Sequence, residues 1–509
     1  MNNLLDKNEV SIWQTKTDGY PETPPYNPDI LYPEYPLGVK NLGLKNETYE
    51  AVRGSLITLE LDKENFGTKD WNPFSVIISP GNTVVIKPNA VNDINIKNRG
   101  SAFASITHGS VMRAVVDYVY IALKGNGRIV IADAPGAICN FENWKKITGM
   151  NELVELYKKE RNFKIEVFDL RQMYSPWSGE HGYAPSNEKV RVERDPAGYN
   201  EIDLGKTSMF STLTDKQCEL IYGADYDREH TIKVHTKGHH KYKVSQTFLD
   251  ADVVISVPKL KTHMKVGVTL NIKSMVGTQG DKNYVPHCRI GDPTRGGDEY
   301  PDLGTLQNAL NRYRMWVMTN VLSKEKPWAD FLYKNFFRVI QNKLQGILHR
   351  WGNYSKGEKY LGNITGGSWY GNDTAWRMAL DLIKIILYAD KTGKIQTVPQ
   401  RKFFSIVDGI VAGHEDGPLY PTDKYAKVIV SGFNPLAVDV ASTVLMGFDS
   451  NKIVTFREGL KLPWLALWGN KPADIDVHSN NPSWDNIQNL SENNLNFTPH
   501  KAWKGHIEK

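Results

Sequence analysis

Cysteine is nearly missing from this chain. Among 509 residues only Cys139, Cys218 and Cys288 are cysteine, far apart and without a C-x-x-C pair. That spacing argues against an iron–sulfur cluster or a zinc ribbon held within one chain, and so little cysteine fits a reducing compartment. Long apolar runs are missing too: no stretch approaches 18 apolar residues, so no transmembrane segment is expected. The opening residues, MNNLLDKNEVSIWQTKTDGY, have no basic start followed by an apolar core and do not read as a signal peptide. The expected location is cytoplasmic. An excess of charge of one sign is also absent. A net charge of +5 is mild for this length and gives no reason to expect nucleic acid as a partner. Finally, there is no P-loop, nucleophile elbow, H-E-x-x-H or kinase motif.

What is present begins with size. A chain of 509 residues exceeds one core, which predicts two domains or one domain with large insertions. Aromatic residues are plentiful, with 13 Trp and 24 Tyr, as suits ligand stacking, glycan surfaces or ordinary cores. Residues Pro21 to Leu42 are rich in Pro and Tyr and read as an extended arm that wraps the domain or a second subunit. Alternating strand and helix patterns then predict an α/β fold, a mostly parallel sheet flanked by helices, with a helical insertion and the N-terminal arm. The expected divisions are an arm over 1–48, a first core part over 49–300, an insertion over 301–400, a closing core part over 401–470 and a tail over 471–509.

The richest stretch is Ala251 to Gly277, ADVVISVPKLKTHMKVGVTLNIKSMVG. The β-branched run Val253 to Val257 reads as a strand buried on both faces, and Pro258 ends it. Lys259, Lys261, His263, Lys265 and Lys273 then fall within fifteen residues. Open α/β sheets place ligands where strand ends feed polar loops, so a cationic cluster at that point predicts an anionic ligand. Ordinary solvation of a loop is the plainer alternative. Elsewhere, NTVVIK over 82–87 and RIVIAD over 128–133 read as strands, the second ending at Asp133. Between them a helix opens at His108 or Gly109 and stops at Gly125. KFFSIVD over 402–408 is a strand ending in Asp408, followed by a Gly-rich loop with His414, Glu415 and Asp416. Asn434 and Pro435 start an apolar helix in which Asp439 needs a partner: a lysine, a hydroxyl or a metal ion.

Three further segments carry weaker signals. The run KVHTKGHHKYKVSQT holds His235, His239 and His240, and reads as a cationic strand edge rather than a metal site. Trp328 to Trp351 is a basic amphipathic pattern, read first as an insertion packing on its own domain and second as a peripheral membrane contact. Arg377, near the start of the helix in GNDTAWRMALDLIKIILYAD, would suit an anion or a sugar. Nothing from Asn140 to Gly238 could be tied to chemistry.

KPN at 87–89, the helix at His108, the strand end at Asp133, VPKLKTH over 257–263 and the Asn271–Lys273 stretch resemble the domain of unknown function 362 family. So do DGIVAGHEDGP over 408–418 and NPLAVDVASTVLMG over 434–447, which extends the resemblance in order over about residues 80–450. The family implies no general activity. Many relatives carry an added ferredoxin-like segment of cluster-binding cysteines, which this chain lacks.

Together these residues predict a mixed acid/base pocket at the strand ends. Asp133, His263, Asp408 and His108 are the catalytic candidates. Lys87, Asn89, Lys259, Lys261, Asn271, Lys273 and Arg377 are the candidates for holding substrate, and Asp439 is the candidate metal ligand. The leading expectation is an enzyme acting on an anionic, phosphorylated or carboxylated small molecule or glycan intermediate, with a divalent cation as one candidate cofactor. A ligand-binding or assembly protein, with the arm joining copies of the chain, is the alternative, and a redox partner protein is the third.

Overall fold

Short β-branched runs build one large sheet, and the alternation of their side chains gives it two cores. The computed structural model describes residues 4–95, 100–174, 190–191, 194–223, 228–236, 238–320, 327–337, 339–340, 343–344, 366–469 and 471–509. Its principal strands are β1 (Glu9–Gln14), β2 (Thr83–Pro88), β3 (Arg128–Asp133), β4 (Ile165–Asp169), β5 (Val253–Val257), β6 (Lys259–His263), β7 (Lys402–His414), β8 (Val428–Gly432) and β9 (Asp476–Ser479). Across the sheet they run β9-β1-β8-β7-β5-β2-β3-β4, with β6 paired to the far end of β7. β7, β5, β2, β3 and β4 are mutually parallel, whereas β8 is antiparallel to β7 and β1 antiparallel to β8. The fold is therefore α/β with a mixed, mostly parallel sheet.

Side chains alternate across a strand, so Val84, Ile86, Val253 and Ile255 enter one core while Val85 and Val254 enter the other. Helices α1 (Glu47–Thr58) and α2 (Gly109–Leu123) cover the first face. Helices α4 (Ala375–Tyr388) and α5 (Pro435–Met446) cover the second, with the short α3 (Leu270–Ser274) packed against both. From β2 the chain moves outward to β3 and β4, then returns to place β5 on the opposite side of β2. Strand order reverses there, and at such a switch point the connecting loops diverge and leave a crevice beyond the carboxyl ends.

Several expectations give way here. Residues Glu9–Gln14 are a sheet strand rather than part of an arm: Val10 and Ile12 alternate into the core and pair with Gly432 and Val430. The arm proper is the Pro/Tyr segment that follows. The C-terminal tail packs on the core: Val477 lies in β9, and Trp484, Leu490, Phe497 and Trp503 are buried. The expected insertion over 301–400 ends in α4, which belongs to the core. β7 runs through the presumed Gly-rich loop to His414: a Cβ on Gly413 would come within 2.3 Å of Ala104 O, so that glycine answers close packing rather than a turn. Much of the Trp328–Trp351 pattern lies outside the described residues; within them, Trp328, Phe331 and Phe336 are exposed. No helix among the described residues is long and apolar enough to cross a membrane.

The arm packs on its own chain through buried charges: Glu34 pairs with Arg53 of α1 at 2.7 Å, and Arg113 is a second. Arg113 on α2 donates to Asn27 Oδ1 at 2.8 Å, to Pro25 O at 3.2 Å and to Tyr35 OH at 2.9 Å. Its counter-charge is Asp117, 2.9 Å away and one turn along, which also accepts from Tyr49 and Tyr157. Both charged side chains are fully buried, and removing one partner strands the other. Asp117→Ala is expected to lower unfolding stability by about 3–5 kcal/mol in urea denaturation. A loss below about 1 kcal/mol, the range of an exposed pair, would contradict this role.

Candidate functional site

The crevice at the switch point is a cavity of about 370 Å³, within the size range of small-molecule sites. Among the described residues five lysines line it: Lys87, Lys261, Lys265, Lys273 and Lys282, and Asp133 is the single carboxylate. His263, His287, Asn89, Thr269, Ser274 and Cys288 complete most of its polar surface.

Each of these side chains is aimed by the strand or turn that carries it. Lys87 ends β2 and donates to Asp133 Oδ1 at 3.0 Å, Ser274 Oγ at 3.1 Å and Pro88 O at 3.1 Å. The other oxygen of Asp133 accepts from Ala90 N at 2.8 Å, so this carboxylate orients Lys87 and has both oxygens occupied. Backbone must approach it closely: a Cβ on Gly277 would lie 1.7 Å from Asp133 Oδ1. Lys261 donates to Asn89 Oδ1, Ser105 O and Pro418 O. Lys265 donates to Gly366 O, and Lys282 to Ala134 O and Gln279 O. Lys273 differs. Among the described residues its ammonium group has no hydrogen-bond or ion-pair partner, although the residue is buried. Thr269 Oγ1 is likewise buried and unpartnered.

Burial among like charges lowers the proton affinity of Lys261, Lys273 and Lys282. Desolvation, then Lys265, Lys282 and Lys87, push Lys273 down to about 7. Desolvation leads again for Lys282, which falls to about 8. Lys261 is held well below the usual lysine range by burial and by Lys259 and Lys273. Both cavity histidines are pushed well below the usual imidazole range, by burial first and then by the lysines, and are neutral at pH 7. Their tautomers follow from chemistry. Nδ1 of His263 accepts the Lys265 backbone N–H at 3.0 Å, so its proton sits on Nε2. Nδ1 of His287 faces Val285 O at 3.0 Å, which can only accept, so its proton is on Nδ1 and Nε2 is a bare acceptor. Neither Nε2 has a hydrogen-bond partner among the described residues. Cys288 is a poor nucleophile because burial pushes its thiol up.

Of the residues singled out from sequence, Lys87, Asn89, Asp133, Lys261, His263, Lys265 and Lys273 line the cavity. The others do not. Lys259 and Asp408 form a fully buried ion pair at 3.0 Å, and Asp408 also accepts from the His108 backbone at 2.9 Å and from Tyr20 OH at 2.6 Å. His108 caps α2 through its ring and stacks on Tyr20. Lys259 and Lys261 part company because the β6–β7 register shifts between them; a bulge re-aims side chains that regular alternation would keep on one face. The segment itself is a buried strand, not a polar loop. Arg377 is spent on Asp373, Met209 O and Thr212.

Asp439 is no open ligand either. Its oxygens accept from the backbone N–H groups of Asn271 at 2.8 Å and Ile272 at 2.9 Å and from the Asn271 side chain. It therefore caps α3, the helix that carries Lys273 and Ser274, and burial pushes its carboxyl up to about 7. Among the described residues no three His, Cys, Asp or Glu side chains gather to hold a metal ion. Lys282 and His287 went unread as site residues, because the DKNYVPHC segment has neither the period nor the spacing of a motif, and Tyr222 lies in the 140–238 stretch that suggested no chemistry.

Residues 202–444 match the family described as Domain of unknown function (DUF362). The chain carries a DUF362 domain. No curated protein and no solved structure matches it. The DUF362 match covers β5 to β8 with Lys261, His263, Lys265, Lys273, Lys282 and His287, but it is narrower than the resemblance read from sequence. Lys87, Asn89, His108 and Asp133 precede it, so the cavity joins the DUF362 segment to strands outside the matched range.

A buried base with lowered proton affinity makes stability depend on pH. Lys273 binds its proton more weakly folded than unfolded, so unfolding takes up a proton between about pH 7 and the ordinary lysine value of 10.5. Stability attributable to this residue therefore rises with pH across that window, and Lys282 acts in the same direction. Lys273→Met is expected to be more stable than the native protein near pH 7 and to flatten the rise. Urea midpoints at pH 7 and pH 9 decide it, and an unchanged slope with no gain at pH 7 would contradict the assignment.

Proposed function

We propose that the DUF362 cavity binds a small molecule carrying at least two negative charges, phosphate or carboxylate, and that the protein is an enzyme acting on it. The observation that carries this reading is the imbalance of charge among the described residues: Lys261, Lys273 and Lys282 are buried in the lining without a carboxylate partner, and the one carboxylate there, Asp133, is already paired with Lys87. Buried cations without counter-ions cost several kcal/mol each, and an anionic ligand supplies the missing charge. Lysines suit the role as point charges that adapt to phosphate oxygens. Between them the lining includes Val91, Tyr222, Met264, Val276 and Leu419, which leaves room for an apolar body beside the charged groups.

The two histidines favour an enzyme over a carrier. A donor at His263 Nε2 and an acceptor at His287 Nε2 border the same space as the lysines, a pairing suited to moving a proton on a bound ligand. Isothermal titration calorimetry with inorganic pyrophosphate tests the binding step. Binding is expected, with affinity falling roughly tenfold or more in Lys261→Ala and in Lys282→Ala, about 1.4 kcal/mol each, and falling further with added salt. Absence of heat, together with no shift in melting temperature, would sink the reading.

A further inference from the structure

Lys273 stands apart from the other cavity lysines. Lys87, Lys261, Lys265 and Lys282 each hold at least one oxygen of the protein, and those bonds occupy them as donors. Lys273 has no such bond among the described residues, yet its helix is pinned at its first turn by Asp439 and its neighbour Ser274 is tied to Lys87. The side chain thus has a fixed origin and is left without a partner at its tip among the described residues. His263 and His287 lie close enough for its charge to act on both rings. A lysine needed only for charge would gain from a carbonyl or carboxylate partner that keeps it protonated. An unbonded amine in the same cavity as a bare imidazole acceptor is instead suited to an activated nitrogen nucleophile.

We propose that Lys273 is a nucleophile that forms a Schiff base with the carbonyl group of an anionic ligand, a 2-oxo acid or a phosphorylated aldehyde or ketone. This deepens the reading of the site given above and rests on it. The Lys273 nitrogen lone pair adds to the carbonyl carbon; a C–N bond forms as the C=O π bond opens onto oxygen. His287 Nε2 takes a proton from the nitrogen and passes it to that oxygen, while His263 Nε2–H hydrogen-bonds to the oxygen as its charge grows. The C–O bond then breaks, both amine hydrogens leave with the oxygen as water, and a C=N bond remains. No oxidant or reductant is required. The lowered proton affinity of Lys273 supports the step, since an amine at about 7 is substantially neutral at physiological pH, and the remaining lysines hold the ligand's phosphate or carboxylate.

The test uses pyridoxal 5′-phosphate at limiting concentration, as an aldehyde that carries phosphate, followed by borohydride reduction, digestion and mass spectrometry of the full chain. Lys273 is expected to be the lysine modified first, with at least a several-fold excess over any other, and inorganic pyrophosphate is expected to block the modification. Lys273→Arg should lose cavity labelling and still bind pyrophosphate, and His287→Asn should slow labelling several-fold. The peptide map of the native protein decides the matter even if a variant fails to fold. Modification spread over surface lysines, or placed on Lys261, Lys265 or Lys282 while pyrophosphate still binds, overturns the nucleophile and leaves the anion site standing. Labelling of Lys273 that pyrophosphate cannot block, with no pyrophosphate binding by calorimetry, supports the nucleophile and overturns the anion reading.

Discussion

The cost of keeping like charges together out of water governs this structure. Elsewhere the fold pairs several of its buried cations with carboxylates: Lys259 with Asp408, Arg113 with Asp117, Arg171 with Asp169 and Arg289 with Asp298 are buried ion pairs, each with additional hydrogen bonds. At the switch point that rule is relaxed. Lysines converge from β2, β6, α3 and the turns that follow, and Asp133 answers one of them. A folded chain tolerates such an arrangement only where the surrounding structure over-determines it. The rest of the architecture can be understood as that over-determination.

Three devices supply it. The first is Pro258, which stops β5 and lets the chain resume as β6 along the far end of β7, with a register shift that separates Lys259 from Lys261. One lysine goes to the structural pair behind the cavity wall and the other to the cavity. The second is the N-terminal arm, whose Tyr20 bonds Asp408 and Lys259 and stacks on the His108 cap of α2. The third is Asp439, which reaches from α5 to hold the start of α3 and so fixes the origin of Lys273. Arm, strand break and buried cap lie far apart in sequence and act on one place.

The sequence announced the strands and the charge, but not how the charge would be divided. Val253–Val257, Thr83–Pro88 and Arg128–Asp133 were legible because β-branched runs bounded by turn residues have few other readings. Lys87, Asp133, Lys261, His263 and Lys273 followed, since strand ends in a parallel sheet share one rim. Lys259, Asp408 and His108 looked equivalent to them. What removed them from the cavity was a register shift and a tyrosine contributed from residue 20, and neither leaves a local pattern. Asp439 was correctly read as needing a partner, yet backbone N–H groups as that partner are invisible without the neighbouring helix. Glu9–Gln14 was missed because its alternation is brief and its strand partner lies more than 400 residues away, at Val428–Gly432. Gly409 and Gly413 suggested a loop, whereas the close approach of Val428 and Ala104 is what calls for them.

The account's central claim is that an anion completes the cavity at the carboxyl ends of β2 and β5. Anomalous diffraction from crystals soaked in tungstate tests it most directly, because tungstate mimics phosphate in shape and charge and its metal atom is located without interpretation. The strongest tungsten peak is predicted inside the cavity, within hydrogen-bonding reach of Lys261 and Lys273. Tungsten confined to exposed lysines, with the cavity empty at full occupancy elsewhere, would contradict the account.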